Sequence, residues 1–161
     1  MISLFILSEN KLSWYELMIL LQRGLIVLIA IQLIYCCYTD IFERKIRNKV
    51  VFTILLLSLL LSFVVQDINI KIPLSIMIVG FFINLLGVIG AGDIKLIASL
   101  SFSIPASQFI DFAVFVSLPG VFCALSILLF TRCVLHHNET SVPFGVAITI
   151  GYIMTMWRFV Y

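Results

Sequence analysis

Two aspartates stand out in this chain because each follows an apolar stretch in a sequence that carries few charges. Asp40 comes after "IQLIYCCYT", and Asp93 comes after the glycine-rich "VIGAG". Two carboxylates that meet can share one proton, since like charges held close together do not both ionise cheaply. One acid then activates a water molecule and the other polarises a carbonyl and helps a leaving group depart, without a metal or a covalent intermediate. The first chemistry to consider is therefore aspartic peptide hydrolysis.

The segments that must position these acids are those of a membrane protein. The 161 residues are 63% hydrophobic and 11% charged, whereas a soluble domain averages about 25% charged residues. Apolar runs near the length of a hydrocarbon core recur from end to end. We predict an all-α polytopic membrane protein, a single domain over residues 1–161 with about six transmembrane helices in a lipid bilayer. A net charge of +2 without a basic tail argues against nucleic acid as a partner.

The predicted spans follow the apolar runs. They are residues 17–38, 50–65, 72–89, 94–103, 112–131 and 142–157. The fourth span is short, and Pro105 should end or kink its helix. Residues 1–16 lack a basic region and a cleavage site, so we interpret them as a candidate interfacial segment, with Trp14 and Tyr15 at the headgroups, rather than as a signal peptide.

The basic residues predict how the chain is oriented. Arg44, Lys45, Arg47 and Lys49 crowd the loop after the first span. The positive-inside rule places this loop in the cytoplasm and both termini on the other side. Two spans then separate the end of the first span from the start of the fourth, so Asp40 and Asp93 should return to the same face at similar depth.

The glycines before Asp93 also fit a site. Gly90 and Gly92 are expected to allow irregular dihedrals, a break between two spans and a close approach of substrate. An alternative is that Asp93 is only the N-cap or a first-turn residue of the fourth helix. A dinucleotide-binding fingerprint is rejected, because Lys95 stands where its third glycine belongs and no alternating strand and helix pattern surrounds it.

The sequence predicts neither a metal nor any other cofactor. The cysteines lack C-x-x-C spacing and are interpreted as small hydrophobic residues: Cys36, Cys37, Cys123 and Cys133. His136 and His137 have no metal-ligand spacing around them. Asn84, a polar residue in an apolar run, is expected to bond to a neighbouring helix.

Three motifs together resemble the type IV prepilin peptidases, which are membrane aspartic peptidases of the G-x-G-D type. "DIFERKIRN" (residues 40–48) is similar to the family's aspartate followed by R-x-I-P-N, and "GAGDIK" (residues 90–95) to its G-x-G-D-x-K. "VPFGVAI" (residues 142–148) resembles the segment that opens the last span. The motifs occur in the family's order, and the resemblance covers the chain from the first span onward.

The resemblance implies a catalytic pair, Asp40 and Asp93. It further implies a set of supporting motif residues: Arg44, Asn48, Gly90, Gly92, Lys95, Pro143 and Gly145. The expected activity is removal of the basic leader peptide from type IV prepilins or pseudopilins at the cytoplasmic face of the bacterial inner membrane. Pilus-assembly machinery is an expected partner.

Two departures refine this expectation. Arg47 replaces the proline of R-x-I-P-N, and its loss should loosen the turn into the second span. The cysteine-rich segment of the larger, N-methylating relatives has no counterpart here, so the resemblance implies cleavage without methylation, as in the short members that serve tight-adherence (Flp-type) pili.

Other residues and other functions remain open from the sequence. The four basic loop residues are expected to contact anionic headgroups. Lys95 either biases the charge of Asp93 or anchors its helix at the interface. Glu43 either attracts a basic leader or is a solvated loop acid. One rival is an intramembrane protease of the presenilin or signal-peptide-peptidase kind, but Thr39 replaces that group's tyrosine before the first acid. Another is a non-catalytic assembly factor or small transporter, although no internal repeat is evident.

Overall fold

The structure, a computed structural model, describes residues 2–43, 46–87, 89–130 and 144–160. Among these residues it contains six α-helices, one 3-10 turn and no strand. The helices are α1 (Ile2–Glu43), α2 (Asn48–Val65), α3 (Lys71–Leu85), α4 (Ala91–Ser101), α5 (Phe109–Phe130) and α6 (Phe144–Val160). The predicted all-α class and the short fourth helix are confirmed.

The first helix is longer than its predicted span. α1 has 42 residues, which at ~1.5 Å per residue is about twice the thickness of a hydrocarbon core. Asp40 therefore lies inside the last turn of α1 and does not follow the end of the helix. The placement of residues 1–16 at the membrane interface stays a prediction.

The outer faces of the helices are those of a membrane protein. Large apolar side chains are exposed along the bundle, for example Leu20, Phe63, Leu86 and Phe122, where a soluble protein would keep such patches small. Ser13–Glu43 and Asn48–Val65 are long and apolar enough to cross a bilayer, and three shorter apolar helices accompany them. The chain is an all-α membrane protein, and the count of six crossings stays a prediction.

Local chemistry sets the helix boundaries. Gln66 ends α2 in the left-handed conformation, with φ 59°, and the Asn69 side chain accepts hydrogen bonds from the backbone N–H groups of Lys71 and Ile72 at the start of α3. α4 ends at Ser101, and Pro105 precedes the 3-10 turn Ala106–Gln108. The predicted helix end near Pro105 is confirmed.

α4 occupies the middle of the bundle. It packs against α2, α3 and α6, while α1 packs against α2 and α6 and α5 packs against α6. α5 and α6 approach closely at Gly151, since a Cβ there would lie only 2.8 Å from the backbone nitrogen of Val116. The absence of a side chain allows this close contact. The end of α1 and the beginnings of α2, α4 and α6 meet at one end of the bundle, here called the motif end.

Candidate active site

Asp40 is held at the motif end by the first turn of α6. Asp40 is only 8% exposed, and its Oδ2 accepts a 2.8 Å hydrogen bond from the backbone N–H of Gly145. The first N–H groups of a helix have no partner within the helix, and the helix dipole favours negative charge there. The start of α6 therefore provides a donor for the Asp40 carboxylate.

Gly145 leaves no room for a side chain at this contact. A Cβ on Gly145 would lie 2.8 Å from Oδ2 of Asp40 and 3.3 Å from its Cγ. The structure thus gives this motif glycine a definite place, in direct contact with the first aspartate. Pro143 lies outside the described residues.

Two residues that the sequence analysis did not assign to the site support this contact. The Thr149 hydroxyl donates to the Gly145 carbonyl at 2.9 Å, and the Cys37 thiol donates to the Thr149 hydroxyl at 3.0 Å. Cys37 is a free cysteine, and its thiol contact with Thr149, which joins α1 to α6, was not predicted from the sequence. The signal available in the sequence was spacing, since Cys37 and Asp40 share a face of α1 at i, i+3 and Gly145 and Thr149 share a face of α6 at i, i+4.

Asp93 lies in the first turn of α4, after the N-cap residue Gly90, as the helix-end alternative anticipated. Its Oδ1 is buried and has no hydrogen-bond partner among the described residues. A buried oxygen without a partner is costly in a purely structural acid. This oxygen is therefore available to a ligand.

The structure brings the two aspartates together. Asp40 lies in the last turn of α1 and Asp93 in the first turn of α4. Gly92, beside Asp93, packs against Ile46 of the α1–α2 connection that follows Asp40, so both carboxylates lie at the motif end. The expectation that Asp40 and Asp93 return to the same face agrees with their placement.

The glycines before Asp93 have ordinary backbone dihedrals, and they matter because they have no side chain. Gly90 has φ −66° and ψ 141°, which any residue adopts, and Gly92 is helical. Among the described glycines the positive φ belongs to Gly87, at 71°. The expected irregular dihedrals were therefore wrong for Gly90 and Gly92 and belong to Gly87.

Close packing accounts for both motif glycines. A Cβ on Gly90 would lie 3.0 Å from Oδ2 of Asp93, and one on Gly92 would lie 3.1 Å from the Cβ of Ile46. Ile46 belongs to the stretch that follows Asp40, so the first two motifs touch at this point. A larger residue at either position would push against the acid or against this contact.

Arg47 keeps the turn into α2 in a proline-like conformation. It is the N-cap residue, with φ −72° and ψ 126°, which lies within the range that proline fixes. Its guanidinium pairs with the Glu43 carboxylate at 2.6 Å, across the connection from α1 to α2. The expected loosening of the turn is not found, and Glu43 is engaged in this pair.

Two other supporting residues, Asn48 and Lys95, do not contact the acids in the structure. Asn48 is the exposed first residue of α2, and Lys95 is exposed on α4. Lys95 follows Asp93 by two residues, which turns it about 200° around the helix axis, so it does not face the pair. Arg44 lies outside the described residues.

The remaining expectations concern Asn84 and a possible metal site. The Asn84 side chain donates to the backbone carbonyl of Ile89 at 2.8 Å, so it bonds within the α3–α4 connection and the expected bond to a neighbouring helix was wrong. Within the described ranges no three His, Cys, Asp or Glu side chains gather around one metal position. Cys133, His136 and His137 lie outside those ranges.

Comparison with known proteins identifies the family of this chain. The family model described as the type IV leader peptidase family matches residues 26–125, a range that includes both aspartates and the motif end of α2. No curated protein and no solved structure matches the chain. Because the family model covers more than half of the sequence, the chain belongs to the type IV leader peptidase family.

Proposed function

We propose that this chain is an aspartic endopeptidase in which Asp40 and Asp93 form the catalytic pair. The observation that carries the proposal is their shared placement. One carboxylate is fixed by the Gly145 N–H, and the other lies at the same end of the bundle with a buried, unpartnered oxygen. A pair used only for helix capping has no need of this arrangement.

The different surroundings of the two acids support different roles for them. Asp40 has a fixed donor at Oδ2, and we assign to it the removal of a proton from the attacking water. Asp93 has the free oxygen, and we assign to it the proton that polarises the scissile carbonyl. That proton later reaches the amine as the C–N bond breaks, so the pair ends the cycle with one proton, as it began.

The substrate that we propose is a type IV prepilin or pseudopilin of the Flp type. Membership of the leader peptidase family supports prepilins as a class. The motif end carries the basic connection between α1 and α2, so we place it and the cleavage at the cytoplasmic face of the bacterial inner membrane. A basic leader would stay on that face for the same electrostatic reason.

We further propose that the enzyme cleaves without methylating the new N-terminus. The connection between α2 and α3 (residues 66–70) and the one between α4 and α5 (residues 102–108) are fully described, and both are short. Neither is long enough to hold a second catalytic unit, and the sequence lacks the cysteine-rich segment of the larger, N-methylating relatives. Pilus-assembly machinery is proposed as a partner because the product must be delivered to it.

The test is co-expression with a Flp-type prepilin. Its size is followed on a gel, and the N-terminus of the product is analysed by mass spectrometry. We expect wild type to release the leader and leave an unmethylated N-terminus, while Asp40→Asn and Asp93→Asn each leave the precursor intact. The matched control is Asp111→Asn, an exposed acid that pairs with Arg158 at the other end of the bundle. Cleavage that survives in either site variant overturns the proposed pair.

A further inference from the structure

A groove opens on the side of the bundle between α2 and α3. Both helices pack on α4 but scarcely touch each other, so α4 forms the floor of a cavity of about 490 Å³. This volume is within the range of pockets that hold small molecules, roughly 300–1,000 Å³. The groove is separate from the catalytic pair described above.

The lining is apolar except at one end. Nine of the twelve lining residues are apolar, including Phe52 on α2 and Met77 on α3. The charged residue and the amide both lie at the motif end, where Asn48 begins α2 and Lys95 lies in the first turns of α4. The groove therefore has a polar mouth and an apolar body.

Lys95 belongs to the face of α4 that forms this groove. Lys95, Ala98, Ser99 and Phe102 line it at i, i+3, i+4 and i+7, the spacing of one helix face. Asp93 lies about 200° away around the same helix. The lysine is thus directed to the groove and is not used by the proposed chemistry at the aspartates.

The Lys95 ammonium lacks an anionic partner within the described part of the chain. The ion pairs there join Arg47 to Glu43 and Arg158 to Asp111. A cation above an apolar groove, at the bilayer surface, complements a phosphate that carries a hydrocarbon tail. The Asn48 amide, beside it at the mouth, can donate to the same phosphate oxygens.

We propose that this groove binds one anionic phospholipid. Its phosphate lies at Lys95 and Asn48, and an acyl chain lies between α2 and α3 along the floor formed by Ala98 and Phe102. The lipid fills an apolar space that would otherwise separate two helices. It thereby supports α4, the helix that carries Asp93.

The apolar helix of the substrate is the rival occupant, and charge argues against it. A prepilin carries its basic leader next to that helix, so docking here would place positive charge beside Lys95. The groove also lies on the face of α4 away from Asp93. This choice between occupants rests on the proposed function, whereas the binding measurement below does not.

The experiment is native mass spectrometry of the detergent-purified protein with phosphatidylglycerol or with phosphatidylcholine of the same chain length. We expect wild type to retain one phosphatidylglycerol at concentrations where phosphatidylcholine is lost. Lys95→Gln should weaken retention about tenfold, the effect of removing one charge-assisted contact. Lys71→Gln, an exposed lysine at the other end of the bundle, should retain the lipid as wild type does.

A second pair of variants tests the apolar body of the groove. Met77→Trp fills it and should reduce retention, whereas Met154→Trp places the same side chain on an exposed position of α6 and should not. Thermal unfolding of each variant distinguishes lost binding from lost folding. Because Lys95 is exposed, its glutamine variant keeps the test valid if the tryptophan variant misfolds.

Three results overturn the inference. The first is equal retention of the two lipids by wild type, and the second is equal retention by Lys95→Gln and Lys71→Gln. The third is a cross-link from the Met77→Cys variant to the prepilin helix, which assigns the groove to substrate. Asp93→Asn should bind the lipid as wild type does, so a failure of the lipid site and a failure of the proposed protease are separable.

Discussion

The backbone N–H of Gly145 donates a 2.8 Å hydrogen bond to Oδ2 of Asp40, which joins the first turn of α6 to the last turn of α1. The two residues are far apart in sequence, and each belongs to a separate motif. The contact fixes one oxygen of the proposed base and leaves the rest of the carboxyl group to the reaction. Positions around this bond therefore give the sharpest tests of the site.

Gly145→Ala should abolish most cleavage. The new Cβ would lie 2.8 Å from Oδ2, so the Asp40 carboxylate must move, and a displacement of about 1 Å at a reacting group costs roughly 100-fold in rate. The measurement is the rate of prepilin cleavage by purified protein. Gly24→Ala is the control, because a Cβ at Gly24 meets nothing within 4 Å; similar rates for the two variants would contradict the role of Gly145.

Thr149→Val should lower cleavage about fivefold, because it removes one hydroxyl hydrogen bond, worth ~1 kcal/mol, from the Gly145 carbonyl. Thr149→Ser restores the hydroxyl and should restore the rate. Thr155→Val removes a similar bond, to Gly151 in the same helix, away from the motif end. If the two valine variants lose cleavage equally, and serine does not rescue, then Thr149 has no positioning role.

Arg47→Pro should fold and cleave within about threefold of wild type. The N-cap dihedrals suit proline, and the lost pair with Glu43 is exposed, so it contributes at most about 1 kcal/mol. Thr53→Pro, inside α2, should cost about 3 kcal/mol or more because it breaks a helical hydrogen bond. Thermal unfolding in detergent and the cleavage rate check both variants, and strong destabilisation by Arg47→Pro would disprove the proline-like turn.

The cleavage rate should pass through a maximum as pH is varied. The proposed pair works with one proton, so at low pH both acids are protonated and the base is lost, while at high pH both are ionised and the proton donor is lost. The check is the rate as a function of pH for wild type and for Asp111→Asn, which should give the same profile. A rate that only rises or only falls with pH is incompatible with a shared proton.

Several features followed directly from the sequence because they depend on local pattern. The length and spacing of apolar runs predicted helices and a short α4. A segment that crosses a bilayer must satisfy its backbone hydrogen bonds internally, and a helix does so. Pro105 predicted where α4 would end. The alternation of spans predicted that Asp40 and Asp93 would lie at the same end.

Other features escaped sequence reasoning because they depend on which helices meet. Cys37 and Thr149 look ordinary in an apolar run, and only the packing of α1 on α6 turns them into partners. Arg47 was expected to loosen a turn that proline would fix, yet its backbone adopts proline's conformation and its side chain pairs with Glu43. Gly90 and Gly92 were assigned to unusual dihedrals, whereas their neighbours in space require them to be small.

The sequence by itself determined that this is an all-α membrane protein, and its motifs indicated the two acids and their family, because hydropathy and motif order are written along the chain. Only the tertiary structure decided what each acid touches. Gly145 became the donor to Asp40 because α6 packs against α1 at the motif end. Lys95 was separated from Asp93 because positions two residues apart on a helix face different neighbours, and α4 has a groove on one side and the proposed catalytic pair on the other.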